Sequence, residues 1–233
     1  MQPAASAINA PPPPARPRRW LVPLALVAGV VGLSAWAGAT GDLLALDRAV
    51  HVASQAHRTH LGDDIARSLR RWGEAWGYLP VVLGLLLLAR LRASERLRRW
   101  AWQVAFALML SGVLCWALKL SVGRARPRWS DAPDSLRPFS SATSFPSGHT
   151  TAAFALSTSL AAGLASPPAT VALVALAAGT GWSRVNDDRH WLSDVVVGAL
   201  VGLLSTLWVR RRYPAAAPPV PAAGRLPPGG AGR

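Results

Sequence analysis

The stretch PSGHTTAAFALSTSLAAGLASPPATVALVALAAGTGWSRVNDDRHWLSD, residues 146–194, decides how this chain is built. From Thr150 to Ser183 it carries no charged side chain. Ser166-Pro167-Pro168 divides that run, because proline cannot continue a helix. Two apolar helices joined by a tight turn follow, each a candidate membrane span. At the borders of the run stand residues of a different kind: Pro146-Ser147-Gly148-His149 before it, and Ser183-Arg184, His190 and Asp194 after it.

Working outward, the same grammar repeats. Apolar blocks run over Trp20–Ala39, Ala75–Ala89 and Trp100–Leu118, and a last one over His190–Val209. With the divided run this makes six spans and an all-α, integral-membrane six-helix bundle over residues 20–212. Several uncharged cores hold only about fifteen residues, short of the ~20 of a lone spanning helix. Polar helix ends that open into a site, at Ser147 and His190, account for the shortfall; one re-entrant or buried helix is the alternative. Residues 1–19 and 213–233 are Pro-, Ala- and Gly-rich tails without the makings of a core. Arg16–Arg19, an apolar run and Ala37-Gly38-Ala39 have the outline of a signal peptide, but the run is long for one, and an uncleaved first span is preferred.

The formal charge of +14 does not point to nucleic acid. The arginines gather at the ends of apolar blocks, where they meet lipid headgroups. Arg16, Arg18 and Arg19 before the first span favour an inside N-terminus, with Arg90–Arg99 and Arg210–Arg212 on the same side. Every motif cluster then falls on the opposite face. Cys115, the single cysteine, reads as a small buried hydrophobe. Gly41–Glu74 mixes acids and bases and reads as interfacial helix over the site. Its His51, His57 and His60 read as solvated loop histidines rather than metal ligands.

Three clusters carry chemistry. Lys119, the only lysine of the chain, stands seven residues before Arg126-Pro127, close to two helical turns, so both can face one site. Basic residues at a span end also simply snorkel, and Arg124, Arg128 and Arg137 fit that description. Pro146-Ser147-Gly148-His149 suits a helix start whose free N–H groups bind an anion, with His149 placed to protonate a departing oxygen; a plain N-cap is the alternative. His190 and Asp194, four apart, share a helix face, so the carboxylate can hold one imidazole nitrogen and leave the other to attack; an interfacial helix pair is the alternative. Arg184 can fork onto two phosphate oxygens.

Lysine, six residues, Arg-Pro; Pro-Ser-Gly-His; and Ser-Arg, five residues, His, three residues, Asp: in this order the chain resembles the type 2 phosphatidic acid phosphatase superfamily, which shares a fold with vanadium haloperoxidases. The resemblance covers about residues 20–210. It implies that Lys119, Arg126 and Arg184 bind phosphoryl oxygens with Ser147 and the Gly148 amide. It implies further that His190 attacks phosphorus to give a phosphohistidine, Asp194 orients it, and His149 protonates the leaving group, with no metal or other cofactor. The expected partners are a lipid phosphate substrate, such as undecaprenyl pyrophosphate, phosphatidylglycerol phosphate or phosphatidic acid, and the surrounding membrane lipid. The expected location is a bacterial inner membrane with the site on its periplasmic face. A phosphotransferase with a non-water acceptor shares the whole site. A lipid-binding or transport protein would need the cations but neither histidine. The sequence does not specify an oligomeric state.

Overall fold

A computed structural model describes residues 41–214. Both the first expected span and nearly all of the two tails lie outside the described residues. Among the described residues the chain is all-helical: α1 Asp42–Ala56, α2 His60–Arg70, α3 Ala75–Leu91, α4 Glu95–Val122, α5 Gly148–Leu164, α6 Pro167–Asn186 and α7 Leu192–Arg212. One-turn 3-10 helices, Arg71–Gly73 and Pro127–Trp129, interrupt the connections.

The count of six spanning helices is not what the described residues give. Two helices, α4 and α7, are long and apolar enough to cross a membrane, and a third span results if α2 and α3, bent by 44° at Glu74, are taken together. At 1.5 Å per residue, α3 and α5, of 17 residues each, reach only about 25 Å, short of a ~30 Å hydrocarbon layer.

α5 is the central helix and packs on α4, α6 and α7. Its buried positions are mostly small: Thr150, Thr151, Ala153, Ala155, Ser157, Ser159 and Ala161. Small residues let apolar helices approach until van der Waals contact and hydroxyl hydrogen bonds hold them. α7 answers with Gly198 and Gly202, where an added Cβ would lie 2.7 Å from the Ser147 carbonyl oxygen and 2.4 Å from that of Thr151. Thr206 Oγ1 on α7 donates to the Ala155 carbonyl. Val82, Val104, Leu156 and Leu160 form the apolar centre between α3, α4 and α5.

Ends are set locally. Ser94 accepts the Leu97 amide at the start of α4. Gly123 ends α4 at φ +58, in the left-handed region, and pairs its N–H with the Lys119 carbonyl. A Cβ there would meet the Arg137 carbonyl oxygen at 1.8 Å, so the loop can close only on glycine. α5 stops at Leu164 and α6 starts on Pro167, where the Ser166-Pro167-Pro168 turn was expected.

α1 and α2 cover one end of the bundle, as the reading of Gly41–Glu74 anticipated. Asn186 Nδ2 donates to Asp63 at 2.9 Å and Thr180 Oγ1 to the Leu69 carbonyl at 2.9 Å, tying α2 to α6. The histidines here are not all solvated loop residues: His51 sits within α1, its Nδ1 3.4 Å from Asp188 Oδ1 and its ring edge-on to Trp191.

Candidate active site

The end covered by α1 and α2 collects all eight residues singled out in the sequence. α4 delivers Lys119 near its C-terminus and α5 opens with Ser147, Gly148 and His149. α6 ends with Arg184, and α7 begins just after His190. Antiparallel neighbours alternate in direction, so the end of α4, the start of α5, the end of α6 and the start of α7 share one face. The Ser147 amide donates to the Asp194 carbonyl at 2.9 Å, joining two of the clusters directly.

Two expected routes to this arrangement are corrected. Lys119 and Arg126 do not share a helix, because α4 ends at Val122 and Arg126 is extended (φ −81, ψ 152). They meet on the loop before α5: Lys119 Nζ donates to the Thr143 and Pro146 carbonyls at 2.6 Å each, and Arg126 Nη2 to Thr143 Oγ1 at 3.1 Å. His190 does not lie on the helix with Asp194 either. It precedes the N-cap residue Trp191, and Asp194, in the first turn of α7, folds back to accept the Trp191 amide at 3.0 Å. That return puts Asp194 Oδ2 3.5 Å from His190 Nδ1, an ion-pair distance looser than an aligned hydrogen bond.

Asp194 is fully buried and held from several sides. Besides the Trp191 amide it accepts from Ser144 Oγ and, at 2.7 Å, from Arg124 Nη1. Arg124 was read as a snorkelling residue. Instead it is buried, and its second arm reaches Asp47 Oδ2 at 2.7 Å. Asp47, on α1 and fully buried, also accepts the Ser193 amide at 2.8 Å and hydroxyl at 2.6 Å. One guanidinium therefore bridges two buried carboxylates, the pairing that buried charge requires. The sequence carried one faint signal for this: Arg124 lies in the same loop as Arg126.

Above this base lies a cationic cradle. Lys119 spends two of its three donors on carbonyls. Arg184 Nη1 is fixed by Asp187 Oδ2 at 2.8 Å. The Nε–H groups of Arg126 and Arg184 are buried and find no hydrogen-bond partner among the described residues. Burial pushes the Arg126 guanidinium below its ordinary value, with the like charges of Arg128 and Arg189 adding to the effect. Ser147 occupies the N-cap position of α5, yet its side chain takes no helix amide and accepts from Thr150 Oγ1 at 2.9 Å instead. The opening amides of α5 are thus left without a side-chain cap, an anion-binding end.

His190, in the loop between α6 and α7, is buried. Burial pushes its imidazole down to about 4; Asp194 opposes that shift, and the positive charges of Lys119 and Arg184 add to it. That shift favours the neutral ring, the form able to act as a nucleophile. His149 is half-buried, and its Nε2 lies 3.5 Å from Glu74 Oε1, a carboxylate the sequence did not single out. A cavity of about 640 Å³ runs from Lys119, Gly148 and His149 between α3, α4 and α5 to the exposed rings of Trp76 and Trp116. Cys115 is buried against its wall.

Comparison with known proteins bears on this geometry. The sequence pattern of the PAP2 superfamily matches residues 100–217, half of the chain. A lipid A 1-phosphatase of Porphyromonas gingivalis is 42% identical over 102 residues, which cover 43% of this chain and 21% of that protein. A lipid A 1-phosphatase of Rhizobium johnstonii is 37% identical over 124 residues, 51% of this chain and 50% of that one. The chain thus spans about half, or less, of these curated relatives. Among solved structures, LpxE of Aquifex aeolicus superposes with a TM-score of 0.56 at 24% identity, covering 69% of this chain and 92% of that one. A PAP2-type phosphatidylglycerolphosphate phosphatase of Bacillus subtilis gives 0.59 at 21% identity, covering 83% and 93%. At such identities the two structures speak for the fold.

Proposed function

This chain belongs to the PAP2 superfamily, and from that premise we propose that it is a membrane-embedded phosphatase that removes the terminal phosphoryl group of a lipid phosphate through a phosphohistidine. One observation carries the reading: the buried, unpartnered Nε–H groups of Arg126 and Arg184, beside the buried neutral ring of His190. Buried donors without acceptors call for a ligand that supplies them, and a tetrahedral oxyanion does.

In the proposed sequence Lys119, Arg126, Arg184, Ser147 and the Gly148 amide take the phosphoryl oxygens. His190 attacks phosphorus as Asp194 steadies the ring. The bond to the lipid oxygen breaks, and His149 gives that oxygen its proton. Water then attacks the phosphohistidine and loses a proton to His149, the P–N bond breaks, and phosphate leaves with His190 neutral again. Preorganised positive charge around a loose phosphoryl group supplies most of the catalysis in such transfers. The cavity toward Trp76 and Trp116 gives the lipid a lateral path, so its chains stay in the bilayer while the headgroup enters beside Lys119, Gly148 and His149.

The names of the relatives support testing the 1-phosphate of lipid A first, alongside undecaprenyl pyrophosphate, phosphatidylglycerol phosphate and phosphatidic acid. The test is inorganic phosphate release by detergent-purified protein in excess EDTA across these four lipids. Release from at least one is expected, and His190→Ala should abolish it while lipid binding persists. No release by a folded wild type, or undiminished release by His190→Ala, would sink the reading.

A further inference from the structure

Glu74 stands outside the three clusters, and nothing in the proposed cycle uses it. Its position is nevertheless fixed against His149 by the backbone. The preceding residue, Gly73, is buried, and a Cβ there would lie 2.2 Å from the His149 carbonyl oxygen. Only glycine lets the Arg71–Gly73 turn press on the start of α5. Trp72 Nε1 donates to Ser157 Oγ at 2.8 Å, two helical turns further along α5, and clamps the same turn from the other side.

Glu74 is the N-cap residue of α3, the ordinary reason to find an acid there. Yet its side chain accepts no amide of that helix. The carboxylate points away from the helix instead: Oε1 lies 3.5 Å from His149 Nε2 and 3.4 Å from Arg70 Nε. Arg70 Nη1 is in turn 4.0 Å from Asp187 Oδ2, the carboxylate that fixes Arg184. A half-buried chain of alternating charge therefore joins His149 to one arm of the phosphate cradle. Glu74, His149, Lys119 and Gly148 line the same cavity.

We propose that Glu74, itself oriented by Arg70, is a positioning residue for His149 that turns the imidazole and favours its protonated form until the lipid oxygen departs. This rests on the reading of His149 as general acid. Burial and the Arg184 charge disfavour the protonated form, and Glu74 opposes them. A carboxylate against one ring nitrogen favours the protonated ring and fixes its plane, as carboxylates behind catalytic and metal-bound histidines do. Glu74 is not a catalytic residue in this scheme, since it acts only through His149.

Leaving-group dependence separates this role from a structural one. The leaving oxygen of a lipid phosphate is a poor anion and needs the proton, whereas p-nitrophenolate is stable without it. kcat/KM ends at departure of the first leaving group, so hydrolysis of the phosphoenzyme does not enter. The experiment compares kcat/KM for whichever of the four lipids the wild type turns over fastest with kcat/KM for p-nitrophenyl phosphate, in detergent. Glu74→Gln should lose about 10–100-fold on the lipid and far less on the nitrophenyl ester, and Glu74→Asp should recover part of the loss. His149→Asn should show the same selectivity with a larger lipid loss, about 10²–10⁴-fold. Equal losses on both substrates for Glu74→Gln, or none on either, beside a selective His149→Asn, would overturn the role of Glu74 alone. Equal losses for His149→Asn would overturn the general acid, and this proposal with it.

Discussion

Arg124 is one guanidinium serving two carboxylates that lie 147 positions apart, Asp47 and Asp194. Removing it leaves two negative charges buried, and breaking a buried pair typically costs about 3–5 kcal/mol. Arg124→Gln should therefore lower the thermal midpoint of the detergent-solubilised protein sharply and reduce phosphate release as Asp194 loses its hold. Asp47→Asn removes part of the conflict. The double variant should lose less stability than the sum of the single ones, by at least ~0.5 kcal/mol, as residues sharing a network do. Strict additivity would show that the two groups act apart. This network also shows where sequence reading stopped. The snorkelling explanation suited Arg124 because nothing local distinguished it from Arg128, which stacks on Trp129 outside the cradle.

At the scale of helices, the site depends on how closely α5 and α7 approach, since α5 carries Ser147–His149 and α7 carries Asp194. Gly202 sets that distance where the Thr151 carbonyl leaves no room for a side chain. Gly202→Ala should force the pair apart and cost about 1–3 kcal/mol of stability, the usual penalty of overpacking, with phosphate release falling in parallel. Gly84→Ala on α3 is the control. Nothing lies within 4 Å of the Cβ it would add, so both readouts should hold. An intact midpoint and full activity in Gly202→Ala would mean that the contact is soft. Apolar run lengths and Ser166-Pro167-Pro168 placed these helices, whereas the close approach at Gly202 depends on a partner some fifty positions away and leaves no periodic trace.

Across the whole molecule, the ends of the bundle differ in charge chemistry. The C-terminus of α3, the N-terminus of α4 and the C-terminus of α7 bring Arg90, Arg92, Arg96, Arg98, Arg99 and Arg210–Arg212 to the end opposite the cradle. Between the ends, Leu83, Leu87, Met109, Val113, Val196 and Leu200 are exposed among the described residues, an apolar belt suited to lipid. From the positive-inside rule we propose that the cradle faces outward. In a Cys115→Ala background, a membrane-impermeant maleimide should label Ser141→Cys on intact cells and Arg92→Cys only after lysis; the reverse pattern would turn the protein over.

The sequence by itself determined that the chain is helical and apolar, where its helices turn, and which eight residues to look for at one end of the bundle. These properties are local: run length, proline position and short motif spacing are written within a few tens of residues. Tertiary structure alone decided that Lys119 and Arg126 meet on the Thr143–Pro146 loop rather than along a helix, and that Asp194 reaches His190 by folding back over the N-cap. It alone recruited Asp47, Arg124 and Glu74. Their partners lie about seventy or more positions away in sequence, and a buried charge takes its role from whichever opposite charge the packed fold sets beside it.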